Sequence, residues 1–160
     1  FRDNRITPIY EGTNSIQAID LVQRKILNNK TFDNFILGIN EEIKICSKNK
    51  NLFPFIEKLK KYIELLVNFT LWIGKKNNSS KDDVSSASND YLKVFGYVCL
   101  GYSWLKMLRI SYEKLESNKN FFDDKINTAA YYFDKILPRA QSHYISAISG
   151  SKNMMKTDFN

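Results

Sequence analysis

Apolar residues recur at steps of three and four along most of this chain, and this spacing constrains the fold more than any other feature. Residues at such steps lie on one side of an α-helix, where they can be buried together. No stretch alternates between apolar and polar residues over the length of a β-strand. The sequence therefore predicts an all-α fold, and the short connections favour an antiparallel bundle of helices two to five.

The spacing predicts five helices, over residues 14–27, 31–48, 54–75, 90–116 and 121–149. Pro54 suits the first turn of the third helix, whereas Pro138 falls inside the fifth and should kink or break it. Residues 77–89 are rich in Asn, Ser and Asp and have no apolar period, so they are predicted to form a loop.

The composition is that of an ordinary globular protein. The 160 residues, 43% of them hydrophobic and 26% charged, are enough for one domain with its own core. No run approaches the roughly 18 consecutive apolar residues of a membrane span, and the first residues lack the pattern of a signal peptide.

Cys46 and Cys99 fall on apolar helix faces, without partners spaced for a metal site. They are predicted to be buried free thiols, which fits a reducing, cytoplasmic setting.

The formal charge of +7 raises the question of a nucleic-acid partner, because basic surfaces bind phosphate. The lysines, however, are scattered along the predicted helices, where they alternate with apolar residues and with Glu41, Glu42 and Glu57. Scattered lysines are typical of solvated helix faces, so nucleic acid is not the partner that we expect. The one histidine, His143, has no identifiable serine or cysteine partner for a hydrolase triad.

The first seventeen residues combine charged, aromatic and glycine positions ahead of the first helix. Pro8 and Gly12 argue against a regular helix there. Asn14 is a good N-cap, and Gln17 stands in the capping-box position three residues later. The apolar side of this first helix is predicted to be formed by Ile16, Ile19, Val22 and Ile26 and to be widened by Ala18, Leu21 and Leu27.

Residues 2–17 read Arg-Asp-x-Arg-Ile-x-x-Ile-Tyr-Glu-Gly-Thr-Asn-x-Ile-Gln, and this pattern resembles the catalytic-base segment of the acyl-CoA dehydrogenases. Residues 91–104 and 125–139 resemble two helices of the extra C-terminal domain in the larger members, including its proline. Those members are large bacterial enzymes and include the 3-methylmercaptopropionyl-CoA dehydrogenases. The resemblance touches nearly the whole chain and implies the C-terminal part of an FAD-dependent enzyme of fatty acid metabolism.

In that family, the glutamate of the Tyr-Glu-Gly-Thr sequence removes the α-proton of an acyl-CoA thioester, and a hydride passes from the β-carbon to the flavin. The resemblance thus implies that Glu11 is the catalytic base, with Gly12 and Tyr10 beside the substrate. It implies contacts with FAD from polar residues at the helix start: Thr13, Asn14, Ser15 and Gln17. For Thr13, Asn14 and Gln17, N-capping of the helix is an equally good explanation, and a residue can both cap the helix and contact FAD. The loop that carries Glu11 is predicted to be held by an ion-pair network of Arg2, Asp3 and Arg5.

The resemblance divides the chain into residues 1–29, the catalytic-base loop and helix of the dehydrogenase core, and residues 30–160, an accessory helical bundle. The flavin-holding domains would lie upstream, so we expect this piece alone to be inactive. The implied partners are acyl-CoA, an electron-transfer acceptor, the upstream domains and further copies in a homo-oligomer. The alternative is a non-catalytic helical interaction module, which would oligomerise or would bind nucleic acid or an acidic protein through its basic surface.

Overall fold

The computed structural model describes residues 14–27 and 31–156, which form helices joined by short turns. The α-helices are α1 (Asn14–Asp20), α2 (Thr31–Cys46), α3 (Phe53–Asn77), α4 (Lys81–Glu113), α5 (Lys119–Tyr131) and α6 (Ala140–Ile148). Shorter pieces extend or connect them, as π-helical turns at Leu21–Ile26 and Tyr132–Ile136 and 3-10 turns at Lys50–Leu52, Leu115–Ser117 and Leu137–Arg139. No strand occurs within these described residues, and the predicted all-α fold is confirmed.

The second and third helices begin and end close to their predicted bounds. Pro54 lies in the first turn of α3, as predicted, where its missing N–H removes no helical hydrogen bond. The break predicted at Pro138 is also confirmed. The helical path changes to a π-helical turn after Tyr131 and to a 3-10 turn at Leu137, and α6 begins only at Ala140.

The loop predicted over residues 77–89 is wrong, because α4 begins at Lys81 and the connection from α3 consists of residues 78–80. Ser80 caps the new helix, since its Oγ accepts a hydrogen bond from the N–H of Asp83 at 3.3 Å. Asp82 and Asp83 stand in the first turn, where the positive end of the helix dipole favours carboxylates.

The serines that suggested a loop are compatible with this helix because their hydroxyls bond to it. Oγ of Ser88 donates to the carbonyl of Val84 at 2.7 Å, and Oγ of Ser86 donates to the carbonyl of Asp83 at 3.0 Å. Val84 and Ala87 are almost fully buried. Burial of these small side chains against other helices stabilises this part of α4, although its polar composition does not indicate a helix.

The long helix α4 is the centre of the molecule and packs against α1, α2, α3, α5 and α6. An aromatic cluster fills the core beside it, around the fully buried ring of Phe69 on α3. The centroid of this ring lies 5.1 Å from that of Tyr91 and 5.4 Å from that of Tyr144, and both pairs meet edge to face. The hydroxyl of the buried Tyr91 shares a hydrogen bond of 2.8 Å with Oγ1 of Thr70.

The helices α3 and α4 approach each other closely at Gly101. A Cβ atom at this position would lie only 2.9 Å from Cδ1 of Leu59, so a larger residue would require the Leu59 side chain to move. Because the connection between the two helices is short and their faces are packed together, they run antiparallel.

Candidate functional site

The predicted site residues fall into two groups. Those nearest the proposed base lie outside the described residues, and their roles stay predictions: Tyr10, Glu11, Gly12 and Thr13, with Arg2, Asp3 and Arg5. The others lie in α1 and are exposed: Asn14, Ser15 and Gln17. The described part of the site is therefore α1, which follows the proposed base, together with the residues that contact α1.

One side of α1 is buried against α4, together with the π-helical turn that continues α1. Ala18 and Val22 have no exposed surface, and Ile26 is also buried, so the buried side runs at steps of four. Ile16 is 63% exposed, and its predicted place on this side is wrong. The reason is geometric, because the two positions from Ile16 to Ala18 turn the helix by about 200°.

The two ends of this helical segment fix its direction along α4. Near its start, Nδ2 of Asn89 donates a hydrogen bond to Oγ of Ser15 at 3.3 Å. Near its end, a cleft of about 280 Å³ is lined by Gln23, Leu27, Asn77, Lys81 and Val84. The segment therefore runs antiparallel along residues 81–89 of α4, the stretch that the sequence predicted to be a loop.

A buried carboxylate in the first turn of α4 binds two other parts of the chain. Oδ2 of Asp83 accepts a hydrogen bond from Nζ of Lys76 at 2.7 Å. Oδ1 accepts two more, from the N–H of Ser151 at 2.8 Å and from its Oγ at 2.7 Å. Gly150 makes the turn that presents Ser151, with a φ of 78° that favours glycine. We refer to Lys76, Asp83, Gly150 and Ser151 as the Asp83 cluster.

The Asp83 cluster joins the end of α3, the start of α4 and the segment that follows α6. The Lys76 ammonium and the N–H and hydroxyl of Ser151 hold the pKa of the Asp83 carboxyl well below the usual range, because all three groups stabilise its charged form. No sequence pattern indicated this cluster, since Ser151 lies 68 positions from Asp83.

Replacing Asp83 with asparagine should destabilise the protein at neutral pH by roughly 1–3 kcal/mol, because the amide has a single acceptor oxygen. Its NH2 group would face a donor in either orientation, the Lys76 ammonium or the N–H of Ser151. The depressed pKa of Asp83 means that its contribution is complete above the unfolded pKa of about 4 and is lost as the pH falls below it. The difference in urea unfolding between the wild type and Asp83→Asn should therefore be largest near pH 7 and should narrow as the pH falls from about 4 towards 2.

The matched control for this prediction is Asp82→Asn. It removes the same charge from the same helical turn at an exposed position, and it should change stability only slightly. Equal effects of the two substitutions, or a gap for Asp83→Asn that does not narrow in acid, would contradict the prediction.

His143 lies half-buried on α6 and pairs with α4. Its Nδ1 is 2.8 Å from Oδ1 of Asp90, and its ring stacks on that of Tyr97 with the centroids 6.0 Å apart. These contacts give the histidine a structural role between two helices.

A second buried ion pair joins α2 to α4. Nε of Arg109 donates to Oε1 of Glu42 at 2.7 Å, and Glu42 is buried although its surroundings in sequence suggested a solvated face.

The thiol of Cys46 lies beside this ion pair, and its Sγ donates to Oε1 of Glu42 at 3.5 Å. Burial is the main cause that raises the pKa of this thiol to about 12, and the Glu42 carboxylate raises it further. Burial raises the pKa of the half-buried Cys99 to about 11. Both thiols are therefore protonated near neutral pH and are poor nucleophiles.

Two structural features are absent from residues 14–27 and 31–156. No group of three or more His, Cys, Asp or Glu side chains could hold a metal ion in that part of the chain. None of its helices is long and apolar enough to cross a membrane.

The family described as acetyl-CoA dehydrogenase C-terminal like matches residues 35–158, which include most of α2 and the whole of α3 to α6. The chain belongs to this family. The likeness to the C-terminal domain of acyl-CoA dehydrogenases, predicted from residues 91–104 and 125–139, is thereby confirmed. No curated protein matches the chain closely. Within this acetyl-CoA dehydrogenase C-terminal-like protein, α1 and the motif of residues 2–17 precede the matched region.

Proposed function

We propose that the chain acts as the C-terminal part of an FAD-dependent acyl-CoA dehydrogenase, which removes hydrogen from the α and β carbons of an acyl-CoA thioester. The observation that carries this proposal is the presence, in one chain, of the base-segment motif of residues 2–17 and of the family match over residues 35–158. The two do not overlap, so they support the same family independently. Residues 1–29 would belong to the catalytic core and residues 30–160 to the accessory bundle.

Glu11 would be the base that removes the α-proton. This proton is weakly acidic, so the carboxylate must be aimed at it and must have a pKa raised towards the working pH. Ile9 and Tyr10 precede Glu11 and would keep water away from it, which raises its pKa, whereas the nearby helix start would lower it. Gly12 would let the thioester approach the backbone, because it has no side chain to block it.

The start of α1 would contact FAD. The exposed residues Asn14, Ser15 and Gln17 carry amide and hydroxyl groups that can donate and accept hydrogen bonds with polar groups of the cofactor. Thr13 precedes them in the motif and would add a further hydroxyl. Bound there, FAD would supply the acceptor for the β-hydride. The family match supports upstream domains and further copies as partners of the complete enzyme. An electron-transfer acceptor would be a further partner.

The test is an anaerobic titration of the full-length enzyme, loaded with FAD, against acyl-CoAs of increasing chain length. A dehydrogenase should lose its visible flavin absorbance when it meets a suitable thioester, and the acyl-CoA that bleaches it fastest identifies the preferred substrate. The matching enoyl-CoA products serve as controls, since they bind but have no hydrogen pair to give. A protein that binds no FAD and is bleached by none of the thioesters would contradict the proposal.

A non-catalytic interaction module is the alternative, and one observation favours it. A groove of about 160 Å³ between α4 and α5 is lined by Met107, Ile110, Ser111, Phe121, Phe122 and Lys125. Its apolar side chains Met107, Ile110 and Phe121 are exposed, as at many partner contacts. Association through such a groove should persist as salt is raised, whereas binding to phosphates should weaken steeply. Flavin binding with bleaching by acyl-CoA would set this alternative aside.

A further inference from the structure

The bundle contacts the proposed catalytic segment directly, through the first part of α4. Ala18 and Val22 of the α1 segment are fully buried in its packing, and Ser15 accepts a hydrogen bond from Asn89 at 3.3 Å. Glu11 lies only four residues before Ser15. A shift of residues 81–89 would therefore carry the start of α1 with it.

This part of α4 is held in place by the Asp83 cluster. Its carboxylate, 8% exposed as a residue, accepts one hydrogen bond from the end of α3 and two from the segment after α6. The space around it is tight, because a Cβ atom added at Gly150 would lie 3.1 Å from Oδ1 of Asp83. Val84 follows Asp83 directly and lines the cleft that borders Gln23 and Leu27 of the α1 segment.

We propose that Asp83 and Asn89 are positioning residues for Glu11, since through α4 they fix the helix that begins three residues after this base. The inference rests on the proposed function, and it adds a role in catalysis for the C-terminal bundle. Asp83 holds the start of α4 in place, and Asn89 of α4 donates a hydrogen bond to Ser15 at the start of α1. Neither residue touches the reacting atoms; both act through α1.

The first experiment compares Asp83→Asn with Asp82→Asn in the full-length enzyme with FAD bound. We expect Asp83→Asn to slow flavin bleaching at saturating acyl-CoA by tenfold to roughly a hundredfold, the scale at which a misplacement of about 1 Å affects catalysis. The dissociation constant for acyl-CoA should change little, because the change affects the aim of the base rather than the binding surface. Asp82→Asn should leave the bleaching rate unchanged. A purely structural Asp83 would lower thermal stability and leave the bleaching rate of the folded enzyme as it was, which would overturn the inference.

The second experiment tests Asn89, and it decides the question even if Asp83→Asn does not fold. Asn89→Ala, Ser15→Ala and the double variant are compared by the same bleaching rate. If Asn89 acts through Ser15, the double variant should lose no more than the more affected single variant, whereas independent effects multiply. Multiplying effects, or an unchanged rate in Asn89→Ala, would overturn the inference.

The two proposals fail differently. A wild-type enzyme that acyl-CoA does not bleach contradicts the proposed function itself. A wild type that is bleached, with variants at Asp83 and Asn89 that are bleached equally fast, contradicts only the positioning role.

Discussion

Replacing Glu11 with glutamine in the full-length enzyme should slow flavin bleaching by acyl-CoA by about 10²- to 10⁴-fold or more, because general-base catalysis typically contributes that much. Glutamine has nearly the size of glutamate but cannot accept the α-proton, so binding should survive while the chemical step is lost. The measurement is the absorbance of the flavin after anaerobic mixing with saturating acyl-CoA, followed for the wild type and Glu11→Gln at equal FAD content.

The control is Glu64→Gln, which makes the same chemical change at an exposed position of α3. It should be bleached as fast as the wild type. An equally fast reaction of Glu11→Gln would remove Glu11 from the role of base, even if the enzyme proves to be a dehydrogenase.

The second large effect is on stability, where Phe69→Ala should destabilise the protein by about 3–5 kcal/mol. The ring of Phe69 has no exposed surface, and its centroid lies 5.1 Å from Tyr91, 5.4 Å from Tyr144 and 6.1 Å from Trp72. Truncation would leave a cavity between three helices, because α3, α4 and α6 each contribute a ring to the cluster. Urea unfolding followed by circular dichroism measures the loss.

Leu71→Ala is the matched control, two positions further along the same helix. Leu71 is 59% exposed, so its truncation should change the free energy of unfolding by no more than about 0.5 kcal/mol. Losses of similar size at both positions would mean that helix formation, and not core packing, governs stability at this end of α3.

The sequence predicted α2 and α3 well because their burial is regular. Apolar residues on these helices return to the same face every turn, and Ile39, Leu59, Leu66 and Phe69 are all fully buried as that pattern requires. The break at Pro138 was equally predictable, because the missing N–H and the ring act locally whatever the tertiary structure.

The start of α4 could not be predicted in the same way. Its residues are Ser, Asp, Asn and small apolar side chains, which favour loops and caps when taken alone. They form a helix because Ser80 caps it, Asp83 is bonded to Ser151, and Val84 and Ala87 are buried by other helices. Tertiary contacts thus override local preference here.

The candidate site was predictable only as a motif. The likeness of residues 2–17 to a family motif predicted Glu11 as the base; it lies outside the described residues, and its role stays a prediction. The residues that hold the next helix gave no such signal, since Asn89 is 74 positions from Ser15. A single sequence does not indicate which polar residues far apart in the chain will form pairs, so these contacts became visible only in three dimensions.

The central place of α4 has a consequence for cooperativity. Within residues 14–27 and 31–156, the other five α-helices all pack against this one helix. An intermediate that kept α4 but released several of its neighbours would expose the buried apolar side chains of α4 to water, which is strongly unfavourable. Partial unfolding should therefore be suppressed outside the chain ends, and amide hydrogens along the middle of α4 should exchange with solvent only through global unfolding.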